Sequence, residues 1–303
     1  MINQWSVGKR VSLALIALAV GILIAGFWNY KLVDGIGRDW IAASIIGHPD
    51  AVTYADKGTA FGFIFAAAAG LAASFTACNC VVFAMLPSLA CATDRKSSKK
   101  RALLALALFA VGVLAVCAVY GAYVTSLGVE GVQAFNDRGM RISQAQTTFT
   151  WIGAVLLVWG GLSFGFLGRL TNLLSPRLLS ILSSAYTKAS IMGLMAGFFA
   201  VGRPYPIFRE FILYAAESGS PGYGSLAMMT QGLGQIAVMV VLYLLLIGLF
   251  GKRLTKWMER KPHQPLLISS IALMAGGAFF VYYWGFAFWY DIGQWGFKLG
   301  WYK

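Results

Sequence analysis

The sequence predicts an all-α polytopic membrane protein with about seven transmembrane helices: one N-terminal extra helix plus two inverted three-helix repeats. Three observations predict it. Of 303 residues, 59% are hydrophobic and only 12% charged, against ~25% charged in an ordinary soluble domain. Seven apolar runs reach the length of ~20 residues that a helix needs to cross the hydrocarbon layer. A glycine-rich motif occurs twice, in runs whose flanking charges make them cross in opposite senses. This composition excludes a water-soluble enzyme and a disordered tail, because too few polar side chains are present to cover a surface in water.

The runs are 11–29, 59–92, 102–124, 148–168, 190–216, 226–250 and 265–288. Lys9 and Arg10 precede the first run as they would in a signal peptide. No convincing small-x-small cleavage site follows it, so an uncleaved anchor is expected. The segments 1–58, 59–168, 169–189, 190–288 and 289–303 then read in turn as anchor helix with external loop, first repeat, cytoplasmic interfacial helix, second repeat and aromatic external tail. In 169–189, Leu173, Leu174, Leu178, Leu179, Ile181 and Leu182 alternate with polar residues, as in a helix lying on a membrane face. At the C-terminal end, Trp284, Trp289, Tyr290, Trp295, Trp301 and Tyr302 read as an aromatic belt in the headgroup region or as a docking surface for a partner.

The net charge is +13. In a soluble protein that would point to nucleic acid. Here the basic residues fall in short loops between apolar runs, and orientation explains them better. Loops on the N-terminal side carry fifteen Lys and Arg against seven on the other side, with Arg203 and Arg209 inside the fifth run. The N-terminus is therefore expected in the cytoplasm, the C-terminus outside, and the chain in the cell inner membrane, with the lipid bilayer as its first partner. His48 and His263 are the only histidines, and both fall in expected loops. No nucleotide-binding glycine motif is complete, so no metal or other cofactor is expected.

The repeat aligns residues 70–80 with 193–203 without a gap, matching Gly70 to Gly193, Leu71 to Leu194, Ala73 to Ala196, Phe75 to Phe198 and Ala77 to Ala200. Ser74 meets the small Gly197. Both copies lead into proline, Pro87 in one and Pro204 and Pro206 in the other. Proline removes a backbone donor and breaks a helix, and inverted repeats with broken helices near the midplane form the central sites of many transporters.

The alignment pairs Cys80 with Arg203 near mid-membrane. A buried arginine there normally faces the bundle interior and has a partner. Glu210 is the nearest acidic residue, so an Arg203–Glu210 lock is one reading. Binding of an anion, or stabilisation of a nearby thiolate by Arg203, is the other. Cys78 and Cys80 lie ~200° apart around a regular helix and would converge only if the chain unwinds before Pro87. Cys-x-Cys suits a thiol relay or a soft metal, and Cys78 alone packs as a small hydrophobe. Packing explains Cys91 and Cys117. Gln231 and Gln235 share a helical face, which suits either interhelical hydrogen bonding or a polar path.

Gly70 through Pro87, with Cys80 followed by Phe83-Ala84-Met85-Leu86-Pro87, resembles the first redox helix of the cytochrome c biogenesis/disulfide-reductant transmembrane family (the CcdA/DsbD type). Gly193 through Phe208 is similar to the second, and the likeness spans about 70–285. The resemblance implies six core helices in two inverted halves, each with one cysteine, passing reducing equivalents from cytoplasmic thioredoxin to thiols outside. The chain departs from the pattern at Arg203, which stands where the second cysteine belongs. It departs also at Asn79, in place of a proline, and by one extra residue between Cys80 and Pro87. Thiol–disulfide exchange needs a second sulfur, which only Cys78 offers nearby. Three functions follow as expectations: thiol-disulfide electron transfer with an altered or degenerate redox site and a thioredoxin-like or cytochrome-type partner; a non-catalytic subunit or assembly factor of a larger membrane redox complex; and a soft-metal or small-anion transporter.

Overall fold

The computed structural model describes residues 6–47, 58–74, 99–166, 184–202, 206–260 and 263–302, and among these every regular element is helical. Helices α1 (Val7–Gly26), α2 (Tyr30–Gly35) and α3 (Ala43–Ile46) come first, with a π-helix at Ile36–Ala42 between the last two. Then follow α4 (Thr59–Ala73), α5 (Lys99–Asn136, interrupted by a kink at Gly128), α6 (Arg138–Phe164), α7 (Ala185–Val201), α8 (Pro206–Glu217), α9 (Pro221–Arg260) and α10 (His263–Phe280). A second π-helix, Val281–Ala287, continues α10.

Five stretches are long and apolar enough to cross a membrane: Val7–Gly26, Ala102–Ala134, Arg138–Phe164, Pro221–Leu249 and Leu266–Ala287. Thr59–Ala73 and Tyr186–Val201 are shorter apolar helices. Leu15, Ile16, Val119, Trp151 and Leu244 are exposed on the outside of the bundle. Large apolar side chains facing outward in such numbers suit contact with lipid. The chain is an all-α protein built for a bilayer. At 1.5 Å per residue the 40-residue α9 is about 60 Å long, twice the ~30 Å hydrocarbon thickness, so it extends well beyond the apolar layer.

Glycines mark the close crossings, because a side chain at such a point would strike the neighbouring backbone. A Cβ on Gly70 of α4 would lie 2.0 Å from the carbonyl oxygen of Gln231 on α9, and one on Gly193 of α7 would lie 2.1 Å from that of Phe109 on α5. The partners answer in kind. Gly234 of α9 faces Ala67, Gly70 and Leu71, while Gly112 of α5 faces Ser190, Gly193 and Leu194. Thus α4 runs alongside and parallel to α9, and α7 parallel to α5. Helices α5 and α9 cross antiparallel, with Gly121 against Gly224 and Cys117 against Gly232. Antiparallel too are α6 and α10, where Gly153 meets Val281 and Gly277 meets Leu157. It follows that α4 and α7, which carry the two glycine motifs, point in opposite directions.

Between these helices Phe149, Phe199, Phe280 and Trp284 form an aromatic column, with ring centroids 5.0–6.0 Å apart. Helix α1 lies outside this core. Its Gly21 packs against Ala275 and Ala278 of α10, and Arg10 donates from Nη1 to the Phe164 carbonyl at the end of α6, at 3.2 Å.

Three segments bear on the sequence expectation. The stretch after the first span, expected as a loop, is helical from Tyr30 to Ile46. Its start is capped by Asn29, whose side chain accepts from the Leu32 amide at 3.0 Å, the usual way to satisfy an orphan donor at a helix start. Within it the Arg38 guanidinium donates to Asp39 at 2.7 Å and holds that carboxyl below the usual carboxylate range. In the run 190–216, where proline is expected to break the helix, α7 ends at Val201 and Pro206 opens α8, in the first turn, where a missing N–H is harmless. Of the expected interfacial helix at 169–189, the residues from Ala185 onward form the first turn of α7, and 169–183 lie outside the described residues.

The C-terminal aromatic segment folds back on the end of α1. Phe27 stacks on Trp301 at 4.8 Å and meets Trp295 edge-on at 5.4 Å. The Tyr302 hydroxyl donates to the Phe27 carbonyl. Trp289, Tyr290 and Trp301 remain exposed, so the segment is an intramolecular clasp with an aromatic outer surface.

Candidate functional site

Of the residues singled out by sequence, Cys78, Cys80, Pro87, Arg203 and Pro204 lie outside the described residues, as does Cys91. Pro206 opens α8, and Glu210 sits half-buried one turn later. Cys117 is buried where α5 crosses α9, at a point so tight that a Cβ on Gly232 would lie 2.7 Å from its sulfur. That placement fits the packing role expected for it.

Two polar regions are built from the described residues. The first lies at the α4–α9 crossing, at the end of α4 that leads into the cysteine segment. Ser74 is 1% exposed, and its hydroxyl has two α9 carbonyls within reach, Gln235 at 2.7 Å and Gly234 at 3.1 Å. Gln231 and Gln235 are equally buried, and Gln231 Nε2 donates to Gln235 Oε1 at 3.4 Å. Gln231 Oε1 is buried with no hydrogen-bond donor. The two amides share a helix face, as their spacing predicts. The bond between α4 and α9 is made by Ser74 to backbone carbonyls. At least one polar atom here is left over from structural bonding, and buried polar atoms are rarely left so.

The second region is a cleft, partly open to the outside, bounded by the last third of α5, the first turns of α6, the end of α7 and α8. Val124, Leu127, Val132, Val201, Phe208 and Ile212 form its apolar walls. Its polar side is made by Arg141, Arg209, Asn136 and Gln144, with Tyr120 and Tyr123 nearby. The fold assembles this side from three elements. Asp137 caps α6 by accepting from the Gly139 amide at 3.2 Å, which sets Arg141 on the first turn. Asn136 ends α5, and Arg209 rides on the first turn of α8. Phe208, stacked on Tyr120 at 6.4 Å, ties α8 to α5 beside Arg209.

Sequence reasoning noted Arg209 as a charge inside an apolar run and missed the rest of this cleft. Arg141 looked like an ordinary loop cation, and no spacing rule links it to Arg209. Comparison with known protein families, characterised proteins and solved structures gives no match for this chain.

Proposed function

We propose that the chain is an inverted-repeat membrane protein of the cytochrome c biogenesis/disulfide-reductant type, with six core spans, one added N-terminal span and an altered redox site. The observation that carries this reading is the correspondence of two crossings. Gly70 meets Gln231 as Gly193 meets Phe109, on helices that run in opposite senses. Two copies of one motif making the same contact in reversed orientation is what an inverted repeat requires. Cys78 and Cys80 lie at the end of the first copy, and Arg203 ends the second.

In this proposal Cys78 and Cys80 supply both sulfurs, with Arg203 stabilising the attacking thiolate. One thiolate attacks the disulfide of an external acceptor, forming a mixed disulfide and expelling the acceptor's first thiolate. The second thiolate then resolves that bond. The acceptor leaves as a dithiol, two electrons richer, and Cys78 and Cys80 are left oxidised as a disulfide. A thioredoxin-like dithiol on the cytoplasmic side restores them. The excess of basic residues on the N-terminal side supports a cytoplasmic N-terminus, which sets the two faces of this scheme.

The test is transfer of reducing equivalents across proteoliposomes from a dithiol on one side to a disulfide-bearing protein on the other. Cys80→Ser and Cys78→Ser are each expected to abolish it. Unchanged transfer in Cys80→Ser rejects the relay. A second reading, a non-catalytic subunit or assembly factor, is favoured by the exposed Trp289, Tyr290 and Trp301 of the C-terminal clasp. Transfer absent even in the wild type, together with a stoichiometric partner retained in mild detergent, would select it.

A further inference from the structure

We infer that the cleft between α5, α6, α7 and α8 binds an oxyanion, a carboxylate or phosphate group carried on an apolar body. Arg141 and Arg209 face the same space, and Arg209 is near enough to act electrostatically on Arg141. Their charges repel, Arg138 adds to the repulsion on Arg141, and the attraction of Asp137 for Arg141 is smaller than either; no described carboxylate lies within ion-pair distance of Arg141 or Arg209. Glu210, beside Arg209 in sequence, does not line the cleft. Nε of Arg141, Nε of Arg209 and Nδ2 of Asn136 are each buried with no hydrogen-bond acceptor. The polar side of the cleft thus holds three unmet N–H donors.

Buried donors without acceptors are unfavourable, and two like charges facing one cleft add repulsion to that cost. One bound oxyanion answers both, because its oxygens accept from several N–H groups while its charge offsets the two cations. Arginine, with its planar fork of donors, is the side chain best suited to carboxylate and phosphate, and such charge-assisted bonds are the strong ones. The opposite walls decide what else the ligand carries. Val124, Leu127, Val132, Phe208 and Ile212 offer no polar partner and suit an alkyl or aryl portion. None of the described lining residues belongs to the proposed thiol relay, so the inference stands apart from it.

Such a group can come from a soluble amphiphilic anion or from the headgroup of an anionic lipid. Three probes separate these sources: octanoate and octyl phosphate titrated into protein in neutral detergent, and phosphatidylglycerol against phosphatidylcholine scored by retention in native mass spectrometry. The wild type is expected to bind at least one anionic probe. Arg141→Gln and Arg209→Gln are each expected to weaken that binding about tenfold or more, the equivalent of one strong charge-assisted contact. Arg209→Lys, which keeps the charge and loses the fork, falls between. Binding of octanoate or octyl phosphate assigns a soluble ligand, and selective retention of phosphatidylglycerol alone assigns a lipid headgroup. The inference is overturned if the wild type binds none of the anionic probes. Binding that is unchanged in both glutamine variants overturns it equally, and since Arg141 sits on an exposed first turn, that variant remains informative even if the Arg209 variants do not fold.

Discussion

The two glycine crossings have the same backbone and opposite chemistry. At the first, α4 meets α9 through Gly70, and the residues around the contact are Ser74, Gln231 and Gln235. At the second, α7 meets α5 through Gly193, and the corresponding residues are Gly197, Phe109 and Val113. Ser74 sets its hydroxyl against the Gln235 carbonyl; a Cβ on Gly197 would lie 3.2 Å from the Val113 carbonyl. Close approach demands glycine at both sites. Polarity is demanded at neither, yet only one has it, and that one leads into the cysteine segment. Shape and chemistry have been separated between the halves: both copies keep the packing, and one adds polar groups.

The largest effects should come from the shared feature. Gly70→Ala and Gly193→Ala each place a methyl about 2 Å from a backbone carbonyl, where no flexible side chain can give way. Overpacking of this kind costs about 1–3 kcal/mol, occasionally more. Both variants should therefore lose thermal stability in detergent by comparable amounts. If Gly70→Ala is tolerated while Gly193→Ala unfolds the protein, the two crossings are not equivalent and the inverted-repeat reading fails.

Ser74→Ala should have a middling effect, since it makes the first crossing resemble the second. It removes a buried hydroxyl lying between two carbonyls of α9. Interhelical hydrogen bonds in bilayers average about 0.6 kcal/mol and reach about 1.7. A shift in the unfolding midpoint of that size is expected. No shift would mean the hydroxyl is not holding α4 to α9.

How much of this was legible in sequence follows from the range of the interactions. Each apolar run of the sequence contains a helix, because hydrophobicity over a span is a local property. The motif copies at Gly70 and Gly193 were legible as a repeat for the same reason. Their contact partners were not: Gln231 lies far from Gly70 in the chain, and which glycine faces which carbonyl depends on helix rotation. The helices at Tyr30–Ile46 were missed because that segment carries Lys31, Asp34, Arg38 and Asp39 and reads as a loop on hydropathy alone. The arginine cleft was illegible for a stronger reason. Arg141, Arg209 and Asn136 sit on three elements, and only folding brings them together. Of the thiol site, the sequence remains the whole account, since Cys78, Cys80 and Arg203 lie outside the described residues.

The smallest stability effect is expected for Gln231→Met, and it bears most directly on why one crossing is polar. Methionine has nearly the volume of glutamine, so the packing is kept. The carbonyl that packs on Gly70 belongs to the backbone and is kept. What is lost is one long hydrogen bond, Nε2 to Gln235 at 3.4 Å, and with it goes Oε1, a buried acceptor that has no donor. Removing an unsatisfied buried atom is favourable, and the two changes should nearly cancel. If the polar crossing serves the thiol chemistry, stability will hold while transfer to an external disulfide falls, and Phe109→Met in the other half will leave transfer untouched. If the amides are there to join helices, the unfolding midpoint will drop and transfer per folded molecule will not change. The two outcomes differ in which measurement moves, so a single variant decides whether the asymmetry between the halves belongs to folding or to function.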